Sequence, residues 1–232
     1  IIGRLVGSEM CIRDRDYWGY NPEVQFYATR GYGVIQMDYR GSTGYGRKEM
    51  ILANHQMGKK MQEDKYDALM WANEQGYVDM DNVCISGASY GGYAAMQAAT
   101  KNPELFKCII AYVGVYDLTS MDLRGLRWSD LGMPMEYIEK GDPRDPDDYK
   151  NLYENSPLFF AQNVEDPVLI ITGRRDNQVR FQETVDMVNE LKKYNKDYKY
   201  IIKGDEGHGF RNETANLELY QDYEEFLAEH LN

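Results

Sequence analysis

Cysteine is scarce: Cys11, Cys84 and Cys108 are too few, and odd in number, for a disulfide framework. Cys84 and Cys108 lie in the apolar runs VCIS and KCIIAYV and read as buried core thiols. Positive charge is also short, with 26 Lys and Arg against 38 Asp and Glu and a formal net charge of −12. A nucleic-acid face needs the opposite balance, and an anionic membrane surface would repel this one. The acidity is spread along the chain, which favours solubility without marking a binding tail. No apolar stretch approaches the roughly 18 residues of a membrane span. No group of Cys, His and Asp has metal-ligand spacing, so neither metal nor cofactor is expected. The glycine-rich loop RGSTGYGR at 40–47 lacks the lysine and spacing of a phosphate loop and reads as a tight turn.

What remains is an alternation of helical and strand patterns over 232 residues, a length that one large α/β domain can fill. Helices are expected at 22–30, 61–75, 93–102, 181–194 and 216–230, and strands at 34–39, 83–86, 108–115, 167–172 and 198–203. Several of these strands are apolar throughout, as in a mostly parallel central sheet with helices on both faces. The polar stretch 119–165, rich in Pro and Asp, reads as loops and short helices above the sheet. Residues Leu5 to Arg15, LVGSEMCIRDR, carry neither period and resemble a translated sequencing adaptor. Residues 1–15 are therefore expected to be non-native and to form no strand, with the folded domain at 16–232.

Between the strand VCIS and the helix that follows stands Gly87-Ala88-Ser89-Tyr90-Gly91, a G-x-S-x-G turn. A sharp strand-to-helix turn lifts its central serine above the sheet, and flanking glycines remove the Cβ atoms that would collide there. Ser89 is the candidate nucleophile, and the N–H of Tyr90 a candidate oxyanion donor. A serine needs a base, and the chain offers three histidines. His55 lies in a polar loop and His230 near the end of the chain, both as surface residues. His208, in GDEGHGF after the strand YIIK, is the candidate base. Asp176, in the loop after VLIITG, is the candidate acid that orients it. Asp117, one strand earlier, is an alternative acid; Asp205 and Glu206 read as solvated loop carboxylates. The order Ser, Asp, His, with each residue after an apolar strand, is that of the α/β-hydrolase fold.

Four segments carry a closer resemblance: GYNPEVQFYATRGYGVIQMDYRGSTGYGR, VCISGASYGGYAAM, GRRDNQVRFQETVDMVNEL and GDEGHGFRNETANLELYQDYEEFLAEHL. They resemble the catalytic domain of the prolyl oligopeptidase family, on the branch of acylaminoacyl-peptidases and dipeptidyl-peptidase 5. The resemblance implies a serine peptidase acting on short peptides through an acyl-enzyme, with Ser89, Asp176 and His208 as its triad and Tyr90 as one oxyanion donor. An esterase using the same triad, an impaired fragment of such an enzyme and a non-catalytic scaffold are the competing readings. Tyr116 and Val115, after the strand at 108, are candidates for the substrate pocket. Arg124 and Arg127 are weaker candidates for contact with a peptide carboxylate. The family's second oxyanion contribution falls where the adaptor-like residues stand, so half of that hole is expected to be missing. Complete members also carry an N-terminal β-propeller, and this chain has no propeller repeats. Short peptides are the expected partners, without nucleic acid or membrane; self-association into a homo-oligomer and a cytoplasmic or periplasmic location both fit.

Overall fold

In the computed structural model, residues 4–8, 15–120 and 140–231 are described. Among the described residues, six parallel strands form one sheet in the order β2-β1-β3-β4-β5-β6. They are β1 (Arg4–Ser8), β2 (Gly33–Ile35), β3 (Val83–Ala88), β4 (Cys108–Tyr112), β5 (Val168–Gly173) and β6 (Tyr198–Lys203). The helices are α1 (Pro22–Thr29), α2 (Arg47–Ile51), α3 (Lys60–Glu74), α4 (Tyr90–Lys101), α5 (Pro146–Glu154), α6 (Phe181–Lys193) and α7 (Glu213–His230). Short 3₁₀ turns at Pro103–Leu105 and Pro157–Asn163 complete the described elements.

Side-chain alternation divides the central strands between two cores. Ile85, Ile109, Ala111, Val168 and Ile170 face Leu69 of α3, Ala95 and Met96 of α4, and Met187 and Leu191 of α6. Cys84, Cys108, Ile110, Leu169 and Ile171 face Tyr27 of α1 and Tyr223, Phe226 and Leu227 of α7. Strands β3, β4 and β5 are buried along their whole length, which is why they read as unbroken apolar runs. Helix α1 starts on an Asn21 cap that accepts from the N–H groups of Glu23 and Val24, with Pro22 in its first turn.

Two expectations are corrected. Residues Arg4–Ser8 do form a strand, and it pairs with β2 on one side and β3 on the other. Without it, the facing backbone groups of β2 and β3 would be left unpaired inside the sheet. Cys84 and Cys108 are not separate thiols. They stand in register on β3 and β4 with Cα atoms 4.6 Å apart, and the structure pairs them as a disulfide.

Candidate active site

Three loops leave the carboxyl ends of β3, β5 and β6 and converge above the sheet, where such sheets collect their functional groups. The first is the turn into α4. Ser89 is held at φ 55°, ψ −114°, a left-handed conformation that costs a non-glycine residue of the order of 1–3 kcal/mol. Its N–H donates to the Tyr112 carbonyl at 2.8 Å. A Cβ on Gly87 would stand 2.5 Å from the backbone of Gly91, so an alanine there cannot be housed without moving the first turn of α4.

The loops after β5 and β6 lock onto each other. The N–H of Arg175 donates to the Glu206 carbonyl at 2.8 Å, and Arg175 pairs with Asp205 at 2.7 Å. A Cβ on Gly173 would meet the Glu206 carbonyl at 2.5 Å, so the close approach requires glycine there. Glu206 is buried and not solvated: its carboxylate accepts from the N–H groups of Arg211 and Asn212, at 2.8 and 3.2 Å, and closes the loop that carries His208. Asp205 is exposed as expected.

These loops bring Ser89, His208 and Asp176 together. His208 Nε2 lies 2.8 Å from Ser89 Oγ, and Nδ1 lies 2.7 Å from Asp176 Oδ2. The other carboxylate oxygen, Oδ1, accepts from the N–H groups of Gln178 and Val179 at 2.8 and 2.9 Å. The Asp176 side chain is fully buried and that of His208 is 6% exposed. With a proton on Nδ1 directed at the carboxylate, Nε2 is left to accept from the serine hydroxyl. Asp117 is engaged elsewhere, accepting from the N–H and the hydroxyl of Thr119 at 2.8 and 2.6 Å. His55 and His230 lie away from this group, each beside a surface carboxylate.

Tyr90 begins α4, and its ring packs at 5.2 Å from Tyr39 and 5.8 Å from Tyr93. Val115 packs half-buried against the same cluster. Tyr116 does not face this side: it is fully buried in the core of the α3–α4–α6 face, so it cannot line a substrate pocket. Burial raises its phenolic pKa, and the charge of Glu183 raises it further. Arg124 and Arg127 lie outside the described residues, as do residues 9–14 of the run 5–15 at which half of the oxyanion hole was expected to be missing.

Two residues of the site were not singled out from sequence. Glu183 on α6 is buried; its Oε2 accepts from the N–H groups of Tyr116 and Asp117 at 3.0 and 2.9 Å, and its Oε1 from Arg180 at 3.0 Å. It ties the loop after β4 to the segment that follows Asp176. Tyr112 serves twice. Its carbonyl holds the Ser89 N–H, and its phenolic oxygen accepts from the Phe210 N–H at 2.6 Å, two residues beyond His208.

Comparison with known proteins gives a consistent result. The model of the prolyl oligopeptidase family matches residues 18–232. Dipeptidyl peptidase family member 6 of Caenorhabditis elegans is 34% identical over 217 residues, 93% of this chain and 29% of that protein. Dipeptidyl aminopeptidase BIII of Pseudoxanthomonas mexicana is 36% identical over 218 residues, 93% of this chain and 31% of that protein. This chain thus spans less than a third of the length of either relative. A puromycin-hydrolyzing peptidase of Mycobacterium tuberculosis superposes with a TM-score of 0.90 at 26% identity, covering 100% of this chain and 34% of that one. An acylaminoacyl peptidase in complex with Z-Gly-Gly-Phe-chloromethyl ketone gives 0.86 at 26% identity, over 99% and 37% of the two chains. The fold is accordingly the α/β-hydrolase fold.

Proposed function

The chain belongs to the prolyl oligopeptidase family, and on that premise we propose that it carries the catalytic machinery of a serine peptidase that cleaves short peptides. One observation carries the reading: a single imidazole bridges a strained serine hydroxyl and a buried carboxylate, at 2.8 and 2.7 Å. Ser89 Oγ attacks the scissile carbonyl carbon while His208 Nε2 takes its proton. The carbonyl π electrons move onto oxygen, and the Tyr90 N–H at the start of α4 stabilises that charge. When the C–N bond breaks, His208 returns the proton to the leaving amine and an ester to Ser89 remains. Water then repeats the sequence: His208 takes its proton, hydroxide adds to the ester carbon, and Ser89 leaves with the proton restored. Asp176 keeps the imidazole in the tautomer these steps require and stabilises its cation. Val115, beside Tyr90, forms part of the wall that receives the side chain next to the scissile bond.

The names of the relatives, dipeptidyl peptidases and acylaminoacyl peptidases, support a reading in which the substrates are peptides with a free or acylated amino end. The test is parallel turnover of aminoacyl or dipeptidyl p-nitroanilides and the matching p-nitrophenyl esters. Release of p-nitroaniline, with His208-dependent kcat, is the expected result. Ester turnover without any anilide turnover would make the chain an acyl hydrolase of the esterase kind.

A further inference from the structure

Helix α3 grips the nucleophile turn through groups to which the chemistry above gives no part. Gln62 and Lys65 stand about one turn apart on α3, 2% and 5% exposed. Gln62 Nε2–H donates to the phenolic oxygen of Tyr90 at 2.9 Å. Gln62 Oε1 accepts from the Lys65 ammonium at 2.7 Å, and the same ammonium donates to the Ala94 carbonyl of α4 at 2.9 Å. Among the described residues no carboxylate pairs with Lys65, and burial drives its pKa well below the ordinary lysine range.

Burying an ammonium without a counter-ion is costly, and helix packing does not need it. Farther along α3, Leu69 and Ala72 are buried as simple apolar contacts. The polar pair supplies something an apolar contact cannot, which is direction. A glutamine amide can turn over, exchanging its oxygen for its NH₂. Lys65 Nζ donates to the Gln62 oxygen, which sets that end of the amide towards the lysine and the NH₂ end towards Tyr90. The phenol of Tyr90 is thereby held as an acceptor. The Ala94 carbonyl is held by the same ammonium, so α4 is pinned at two points within its first five residues. Those residues follow Ser89 directly, and the leading N–H among them is that of Tyr90.

We propose that Lys65 and Gln62 are positioning residues of the active site: the lysine sets the orientation of the Gln62 amide, and the amide sets Tyr90 and with it the backbone donor beside the nucleophile. This rests on the reading of Ser89 as nucleophile and Tyr90 as oxyanion donor. A donor displaced from the developing oxyanion weakens the transition state more than substrate binding, so the loss falls on kcat.

The experiment uses the whole chain and its Lys65→Met, Gln62→Met and Gln62→Glu variants. It measures kcat and KM on one peptidyl p-nitroanilide, labelling of Ser89 by a fluorophosphonate, and melting temperature. Lys65→Met and Gln62→Met should each lose about 10- to 100-fold in kcat, as small misplacements in a site do, with KM little changed. Lys65→Met takes the buried donor from the Gln62 oxygen and the Ala94 carbonyl, so its melting temperature should fall somewhat, and kcat and KM are compared well below it. Gln62→Glu should recover most of the lost kcat. Its carboxylate still accepts from Lys65 and now accepts from the Tyr90 hydroxyl, which keeps the chain of contacts with one donor reversed. A Lys65→Met protein with parental kcat and KM, or a Gln62→Glu protein as slow as Gln62→Met, overturns the proposal. Should Lys65→Met fail to fold, the two Gln62 variants decide the question by themselves. A parent that the fluorophosphonate does not label at Ser89 defeats the underlying reading of the site and this inference with it; a labelled parent whose variants are unaffected defeats the inference alone.

Discussion

Replacing Ser89 with alanine should abolish covalent labelling by a fluorophosphonate and lower kcat on a peptidyl p-nitroanilide by roughly 10⁴- to 10⁶-fold. Ser89 carries the hydroxyl that the structure sets against an imidazole nitrogen, at 2.8 Å from His208. Ser86, three residues earlier, is buried within β3, with its oxygen 3.5 Å from the Tyr27 phenol. Alanine at position 89 meets the same left-handed backbone demand as serine, so the turn and the fold should survive, and an unchanged melting temperature would show it. What activity remains would come from substrate binding and the backbone donor. Intact-protein mass measurement reads the result directly, and an alanine variant that still gains the probe's mass would remove Ser89 from the mechanism.

Asp176→Asn should cost on the order of 10⁴ in kcat, with KM changed far less. Asp176 Oδ1 is committed to the N–H groups of Gln178 and Val179. In the asparagine variant those two donors retain the amide oxygen, and the NH₂ group is turned towards His208 Nδ1. The imidazole must then accept at Nδ1 and carry its proton on Nε2, where it faces Ser89 and cannot take the serine proton. The rate of fluorophosphonate labelling should fall with kcat. Asp117→Asn serves as the control and should stay near the parent, because that carboxylate is bound to Thr119. A large loss in Asp117→Asn with none in Asp176→Asn would reverse the assignment of the acid.

Much of this site was legible because its parts depend on local sequence. A fully buried parallel strand must be apolar throughout, so VCIS, CIIAY and VLIITG announce themselves, and the residues just beyond them fall at the sheet's carboxyl edge. The turn GASYGG is written in glycines that the close approach of Gly87 to Gly91 requires. What stayed hidden depends on neighbours distant in sequence. Strand β1 is specified by the slot between β2 and β3 rather than by its own pattern, so RLVGS gives no strand signal of its own. The pairing of Cys84 with Cys108 follows from the register of two strands 24 residues apart. Glu183 and Glu206 look like surface carboxylates until the backbone N–H groups that surround them are known. Tyr116 lies four residues beyond the end of β4, so the path of the loop and not strand alternation turns its ring into the core. Strand β2 spans Gly33–Ile35 where 34–39 was expected; among the described residues it lies at the sheet edge and pairs with β1.

Tyr112 suspends both the serine turn and the histidine loop from one residue of β4, by its carbonyl and its phenol. Opening either loop to solvent then disturbs the anchor of the other, so the two behave as one cooperative unit of local unfolding. The amide hydrogens of Ser89 and Phe210, 121 positions apart in the chain, should exchange with deuterium at a common, slow rate. In Tyr112→Phe, which keeps the ring but gives up the phenolic acceptor, the Phe210 amide should exchange faster while that of Ser89, still held by the carbonyl, keeps most of its protection. Loops that breathe together spend little time apart, so the 2.8 Å contact between Ser89 Oγ and His208 Nε2 is maintained by a tyrosine that touches neither side chain's partner atom.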